Sequence, residues 1–219
     1  MKTFAFLARL FAALLAVSPA LAASGGNGAA LVTAVEGKVS RLAPAGSEPV
    51  QAFVKLGEGD VIKLERGARI RLVYFASKRQ ESWSGQGQLA IGAGEGKGQG
   101  RGLGAPEVKT LPDMLVKQIA RTPSLDNQGR VGMVRLRSIG TPDAVAKLEN
   151  NYQQLRAEST ADDLNPEMFL LAGLLELRQL DQLEKALAEL QTSHPDNTEA
   201  KVLAALYQKS LKNLRESGK

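Results

Sequence analysis

The chain has no cysteine and one histidine, His194. The first absence rules out disulfides, a thiol nucleophile and any cysteine metal site. The second rules out a histidine metal cluster, and the two together rule out a Cys–His pair. His194 stands before Pro195 between two helical patterns and reads as an exposed junction residue. Aromatics make up only 5% of residues, and Trp83 is the sole tryptophan. No apolar run beyond the N-terminus is long enough to span a bilayer.

The N-terminus carries the one targeting pattern. Lys2 and Arg9 flank an eight-residue apolar core at 10–17 (LFAALLAV), followed by Ser18-Pro19 and the small residues Ala20-Leu21-Ala22. Eight helical residues reach about 12 Å, against roughly 30 Å of hydrocarbon. The pattern is therefore read as a cleaved signal peptide at 1–22 rather than an anchor. No cysteine follows it, so lipidation is not indicated. Export without cysteine at this size suits a bacterial periplasm. Cleavage leaves 197 residues, enough for one large or two small domains.

Charge is divided along the chain. Residues 23–140 carry 17 Lys and Arg against 10 Asp and Glu, whereas 141–200 carry 4 against 12. The halves thus offer a basic and an acidic surface. Export excludes nucleic acid as a partner. The expected partners are a periplasmic protein and an anionic envelope polymer, with the membrane reached only through partners.

After a Gly-rich lead-in at 23–30, hydrophobicity takes the period of β-strands. In "GARIRLVYF", Ala68, Ile70, Leu72 and Tyr74 point one way and Arg69 and Arg71 the other. Similar runs occur at 31–43, 50–56 and 88–91, separated by turn residues such as Gly37, Gly57 and Gly67. Short strands at this spacing, with no helices between them, predict an all-β sandwich or rolled domain over 31–138. Its last strand is predicted at 129–138, after a short helix at 111–121.

Within it, glycine occupies every even position from 92 to 104. The spacing cannot satisfy the dinucleotide-binding glycine pattern, and Lys97 is followed by Gly98 rather than by Ser or Thr. Without aromatics the tract is not an RNA-binding tract either. It is read as an insertion at 92–105, either a mobile loop or a period-two extended strand. The loop is preferred because in-strand glycine is destabilising.

From Thr141 the period is helical. Thr141 and Pro142 open one helix and Asn165-Pro166 a second; Asp181 with Glu184, and Asp196 with Glu199, suggest capping boxes for two more. Residues 167–175 align with 199–207 at an offset of 32. A period of that size predicts an all-α helix-hairpin repeat domain over 141–216. One long helix through 166–192 is the competing reading.

Two family resemblances follow from these residues. "VTAVEGKV", "LGEGDVIKLERGARIRLVY" and "GQLAIG", within 31–92, resemble a FecR-type domain. That resemblance implies an exported, non-enzymatic β-module of bacterial envelope or signalling proteins. It departs from the family's anchored regulators, because only a short segment precedes the apolar core. "SHPDNTEAKVLAALY", with Pro195, Leu203, Ala204 and Tyr207, resembles a degenerate tetratricopeptide repeat, which implies protein binding on a concave helical face.

The residues most suggestive of chemistry have plainer readings. Glu58 and Asp60 are two carboxylates suited to acid–base work on a glycan, but "GEGD" reads first as a tight turn. Arg69, Arg71, Lys63, Lys78 and Arg79 form a candidate anion- or polymer-binding face, the alternative being a solvated sheet face. Trp83 either closes the β-core or stacks on a ligand. No catalytic residue, metal or cofactor is expected. The sequence predicts a non-catalytic adaptor, with a FecR-like sensory component or a carboxylate-based glycan hydrolase as alternatives. It predicts a β-domain that folds without 141–219.

Overall fold

The structure is a computed structural model and describes residues 28–44, 46–124 and 141–217. The signal segment, most of the lead-in and the strand expected at 129–138 lie outside the described residues, as does the boundary near 140.

Among the described residues nine strands come first: β1 (Ala30–Glu36), β2 (Val39–Ala43), β3 (Gly46–Pro49), β4 (Lys55–Leu56), β5 (Val61–Leu64), β6 (Arg69–Tyr74), β7 (Arg79–Ile91), β8 (Gly96–Leu103) and β9 (Glu107–Thr110). Every pairing is antiparallel. The pairs combine into five long ribbons. β1 and β2 run on from each other against β6 and β5. β5 and β6 together flank one side of β7, and β8 and β9 flank its other side. β3 and β4 line the outside of β2 and β1.

Four ribbons bend at a residue with left-handed backbone: Gly37 (φ 74°), Phe53 (φ 63°), Gly67 (φ 76°) and Gly85 (φ 115°). The bends are stacked. The Gly85 amide donates to the Ala68 carbonyl at 3.1 Å, and a Cβ on Gly37 would lie 3.1 Å from Ala68 Cα. The sheet therefore curls into a half-barrel rather than lying flat. Its inner face encloses Val32, Ile62, Leu64, Ile70, Leu72, Tyr74, Trp83, Leu89 and Ile91.

Among the described residues five helices follow: α1 (Asp113–Ile119), α2 (Pro142–Ala157), α3 (Asn165–Glu176), α4 (Leu180–Ser193) and α5 (Thr198–Ser217). They do not form the separate helix-hairpin repeat domain expected from the 32-residue offset. α3 and α5, the helices that the offset aligns, occupy unlike places. α3 packs against α1, α2 and α4 and is buried along almost its whole length, Glu167 included, whereas α5 packs on α4 and touches β1. The second core is also shared with the sheet, because Leu31, Ala52, Phe53 and Val73 pack among the helical leucines. Polar contacts cross the same junction. Asn165 Nδ2 donates to Gln80 Oε1 at 2.7 Å, the Val35 amide to Glu199 Oε1 at 3.3 Å, and Lys55 Nζ to the Ala120 carbonyl at 2.8 Å. A β-half that stands free of the helices is not what these contacts describe.

Helix starts divide the same way. Thr141 caps α2, its Oγ1 accepting from the Ala144 amide at 3.3 Å, with Pro142 in the first turn. Neither expected capping box forms. α4 starts at Leu180 without a side-chain cap, and α5 is capped by Asn197 Oδ1, which accepts from the Ala200 amide at 2.8 Å. Glu199 is directed at β1 instead. The single long helix through 166–192 is broken after Leu177, where Arg178 takes φ 56°.

The glycine tract is a strand, not a mobile loop. β8 pairs along the second half of β7, and its glycines make that approach feasible. A Cβ on Gly98 would sit 2.7 Å from Trp83 Cζ3, and one on Gly96 2.7 Å from Leu89 Cδ1 and 3.0 Å from Glu81 Oε2. Only backbone fits over the indole and the buried carboxylate. A register shift opposite Gln86–Gln88 and the left-handed Gly100 (φ 110°) then turn Leu103 inward onto the core.

Candidate functional site

The alternation that sends Ile70, Leu72 and Trp83 into the half-barrel sends their neighbours to the outer face of the same sheet. Helices cover that face at the Leu31–Val73 end and leave it open at the other. The register sets the open part out in two rows. One row is Ala34–Arg71–Ser82–Glu107, across β1, β6, β7 and β9; the next is Glu36–Arg69–Ser84, across β1, β6 and β7. These residues, with Ala105, line a groove of about 350 Å³.

Four of the lining side chains are charged, and among the described residues none of them lies within an ion-pair distance of another charged group. Arg71 is half-buried, and its Nε is buried without a hydrogen-bond partner. Two guanidiniums two residues apart on one strand, flanked by the hydroxyls of Ser82 and Ser84, give a donor-rich floor for a carboxylate or phosphate. Glu36 and Glu107 stand at opposite sides of it.

The structure divides the expected cationic face. Arg69 and Arg71 share the groove. Lys63 lies elsewhere, on the outer face of β5, and pairs with Glu65 at 2.8 Å. Lys78 and Arg79 sit at the β6–β7 turn, already engaged: Lys78 with Asp113 at 2.8 Å, Arg79 with Glu81 at 3.0 Å and Glu95 at 3.5 Å. Asp113 also receives Lys117 at 2.6 Å, and these two lysines hold its carboxyl well below its usual value, at about 2. Trp83 lends the groove its position but not its ring, which is 5% exposed in the inner core.

Ser82, Ser84, Glu36 and Glu107 were not singled out from the sequence. The serines had a signal: in "ESWSG" they alternate with Trp83, so an inward indole places both outside. Glu107 had none, since it reaches the groove through the pairing of β9 with β7.

Beneath the groove lies a buried carboxylate. Glu81 is fully buried on the inner face, where its Oε2 accepts from Trp83 Nε1 and from the Gly96 amide, each at 3.0 Å. Arg79 supplies the countercharge. Burial, and next the Glu81 charge, push the Tyr74 hydroxyl far above its ordinary value. Tyr74 and Trp83 beside it are buried and Arg79 is half-buried, and the cluster ties β6, β7 and β8 together.

The remaining candidates are structural in geometry. Asp60 Oδ2 accepts from the Gly57 amide at 2.8 Å, and Gly59 takes φ 89°, so "GEGD" is a side-chain-capped turn. His194 Nε2 lies 3.1 Å from the Ala161 carbonyl at the α4–α5 junction. Among the described residues no group of three or more His, Cys, Asp or Glu is placed to hold a metal ion, and no helix is long and apolar enough to cross a membrane. Comparisons with protein families, with curated proteins and with solved structures returned no match.

Proposed function

We propose that this is an exported, non-catalytic binding protein of the bacterial envelope, and that the Arg69–Arg71 groove holds anionic groups of a peptide-bearing cell-wall polymer. The observation that carries the reading is the pair of guanidiniums, neither within ion-pair distance of a described carboxylate, in a groove on the part of the sheet's outer face that the helices leave open. The signal-like N-terminus and the FecR-type resemblance of 31–92 support export. The turn geometry at Glu58 and Asp60 favours binding over hydrolysis.

The test is co-sedimentation with purified peptidoglycan sacculi. The full chain is expected to pellet with sacculi, and to be released as salt rises, because partly exposed charges are screened. Replacing Arg69 and Arg71 together by Met is expected to abolish pelleting while leaving Trp83 emission unchanged. A double variant that still pellets like the parent removes the groove from the account. Release of soluble glycan during incubation would contradict the non-catalytic reading.

A further inference from the structure

The groove is not simply basic. Arg71, Ser82 and Glu107 stand side by side on β6, β7 and β9, so one cation and one anion face the solvent across a central hydroxyl. Strands lie about 4.8 Å apart, which separates the Arg71 and Glu107 positions by roughly 10 Å. In the neighbouring row Arg69 has Glu36 directly opposite it, whereas Arg71 has only Ala34. Arg71 is therefore the cation with no carboxylate beside it, and Glu107 is the carboxylate farthest from either arginine.

A polyanion of uniform charge would be repelled at Glu107, as like charges cost affinity at close quarters. A ligand with a carboxylate at one end and an ammonium at the other satisfies both ends. An extended tripeptide spans about 10 Å, which matches the row. We propose that the groove recognises a short zwitterionic peptide, its carboxylate on Arg71 and its ammonium on Glu107, with Ser82 beneath its middle. This rests on the anion-binding reading of the same groove and narrows it from anionic groups in general to the free ends of peptide chains.

The experiment titrates the full chain with trialanine, N-acetyl-trialanine and trialanine amide by calorimetry, with citrate as a plain anion. Trialanine is expected to bind at least tenfold more tightly than either blocked form. Glu107→Gln is expected to erase the preference over the N-acetyl form, and Arg71→Met the preference over the amide. Both variants should keep the parent's Trp83 emission, since neither side chain enters the inner core. If N-acetyl-trialanine binds as well as trialanine while citrate also binds, the inference fails and the anion-binding reading stands. If neither citrate nor any peptide binds, both fail.

Discussion

Gly98→Ala adds one methyl group to the strand that covers Trp83. The new Cβ would lie 2.7 Å from Trp83 Cζ3, and 3.2 Å from both Trp83 Cη2 and Leu103 Cδ2. Carbon atoms pack at about 3.5–4.0 Å, so the indole must retreat by roughly 1 Å. It is tethered, because Trp83 Nε1 donates to buried Glu81 Oε2 at 3.0 Å. Overpacking of this kind costs about 1–3 kcal/mol. Loss of unfolded-state freedom on replacing glycine gives back about 0.4–1 kcal/mol. The net expectation is destabilisation of about 1–2 kcal/mol, or roughly 2–8 °C in Tm for a chain of this size. Gly104 is the internal control. Its nearest neighbour would be the Ser84 carbonyl oxygen at 3.8 Å, with no left-handed backbone, so Gly104→Ala should be neutral or slightly stabilising. Urea unfolding followed by emission of the single tryptophan measures both. Equal midpoints for the two variants would mean that the tract does not lie on the indole, and the ordered-strand account would fall.

Other expectations follow from the shared core. Leu203, fully buried among helices and sheet residues, should not tolerate Asp; a buried unpaired charge costs several kcal/mol, and far-UV helicity and the near-UV signal of Trp83 should be lost together. Unchanged helicity would place Leu203 outside the core. A fragment of residues 23–140 strips α2 to α5 from the core that holds Leu31, Phe53 and Val73 and should lack a cooperative transition; cooperative unfolding with native Trp83 emission would show that the sheet and α1 stand without them. Asp113 has its pKa depressed from 3.8 to about 2 by hydrogen bonds from Lys117 and then Lys78. Its contribution is therefore present above about pH 4 and disappears as pH falls through 2. Carboxyl NMR titration should show that value move up toward 3.8 in Lys117→Met with Lys78→Met, and an unmoved value would refute the pairing.

Much of the sheet was legible because alternation on β6 is strict: Ile70, Leu72 and Tyr74 against Arg69 and Arg71. The start of α2 was legible because Thr141-Pro142 carries its cap locally. The strand at β8 was not, since glycine has poor strand propensity and only the indole beneath explains it. The break after Leu177 was legible only against a continuous helix as competitor, because Arg178 rather than glycine adopts the left-handed conformation. The merging of sheet and helices left one faint mark. β1 opens with four consecutive buried residues, Ala30 to Thr33, a run that suits a strand covered on both faces. The groove was half visible. Arg69 and Arg71 declared themselves by spacing, while Lys78 and Arg79 looked similar in sequence but are consumed by Asp113, Glu81 and Glu95. Which cations remain unpaired is a matter of tertiary register, and the sequence does not print it.

The most direct test of the central claim is chemical-shift mapping of backbone amides during titration with soluble peptide-bearing cell-wall fragments. The account predicts shifts that cluster on Arg69, Arg71, Ser82 and Ser84, with the α4–α5 face silent. Shifts confined to the helices, or none at millimolar fragment, would contradict it.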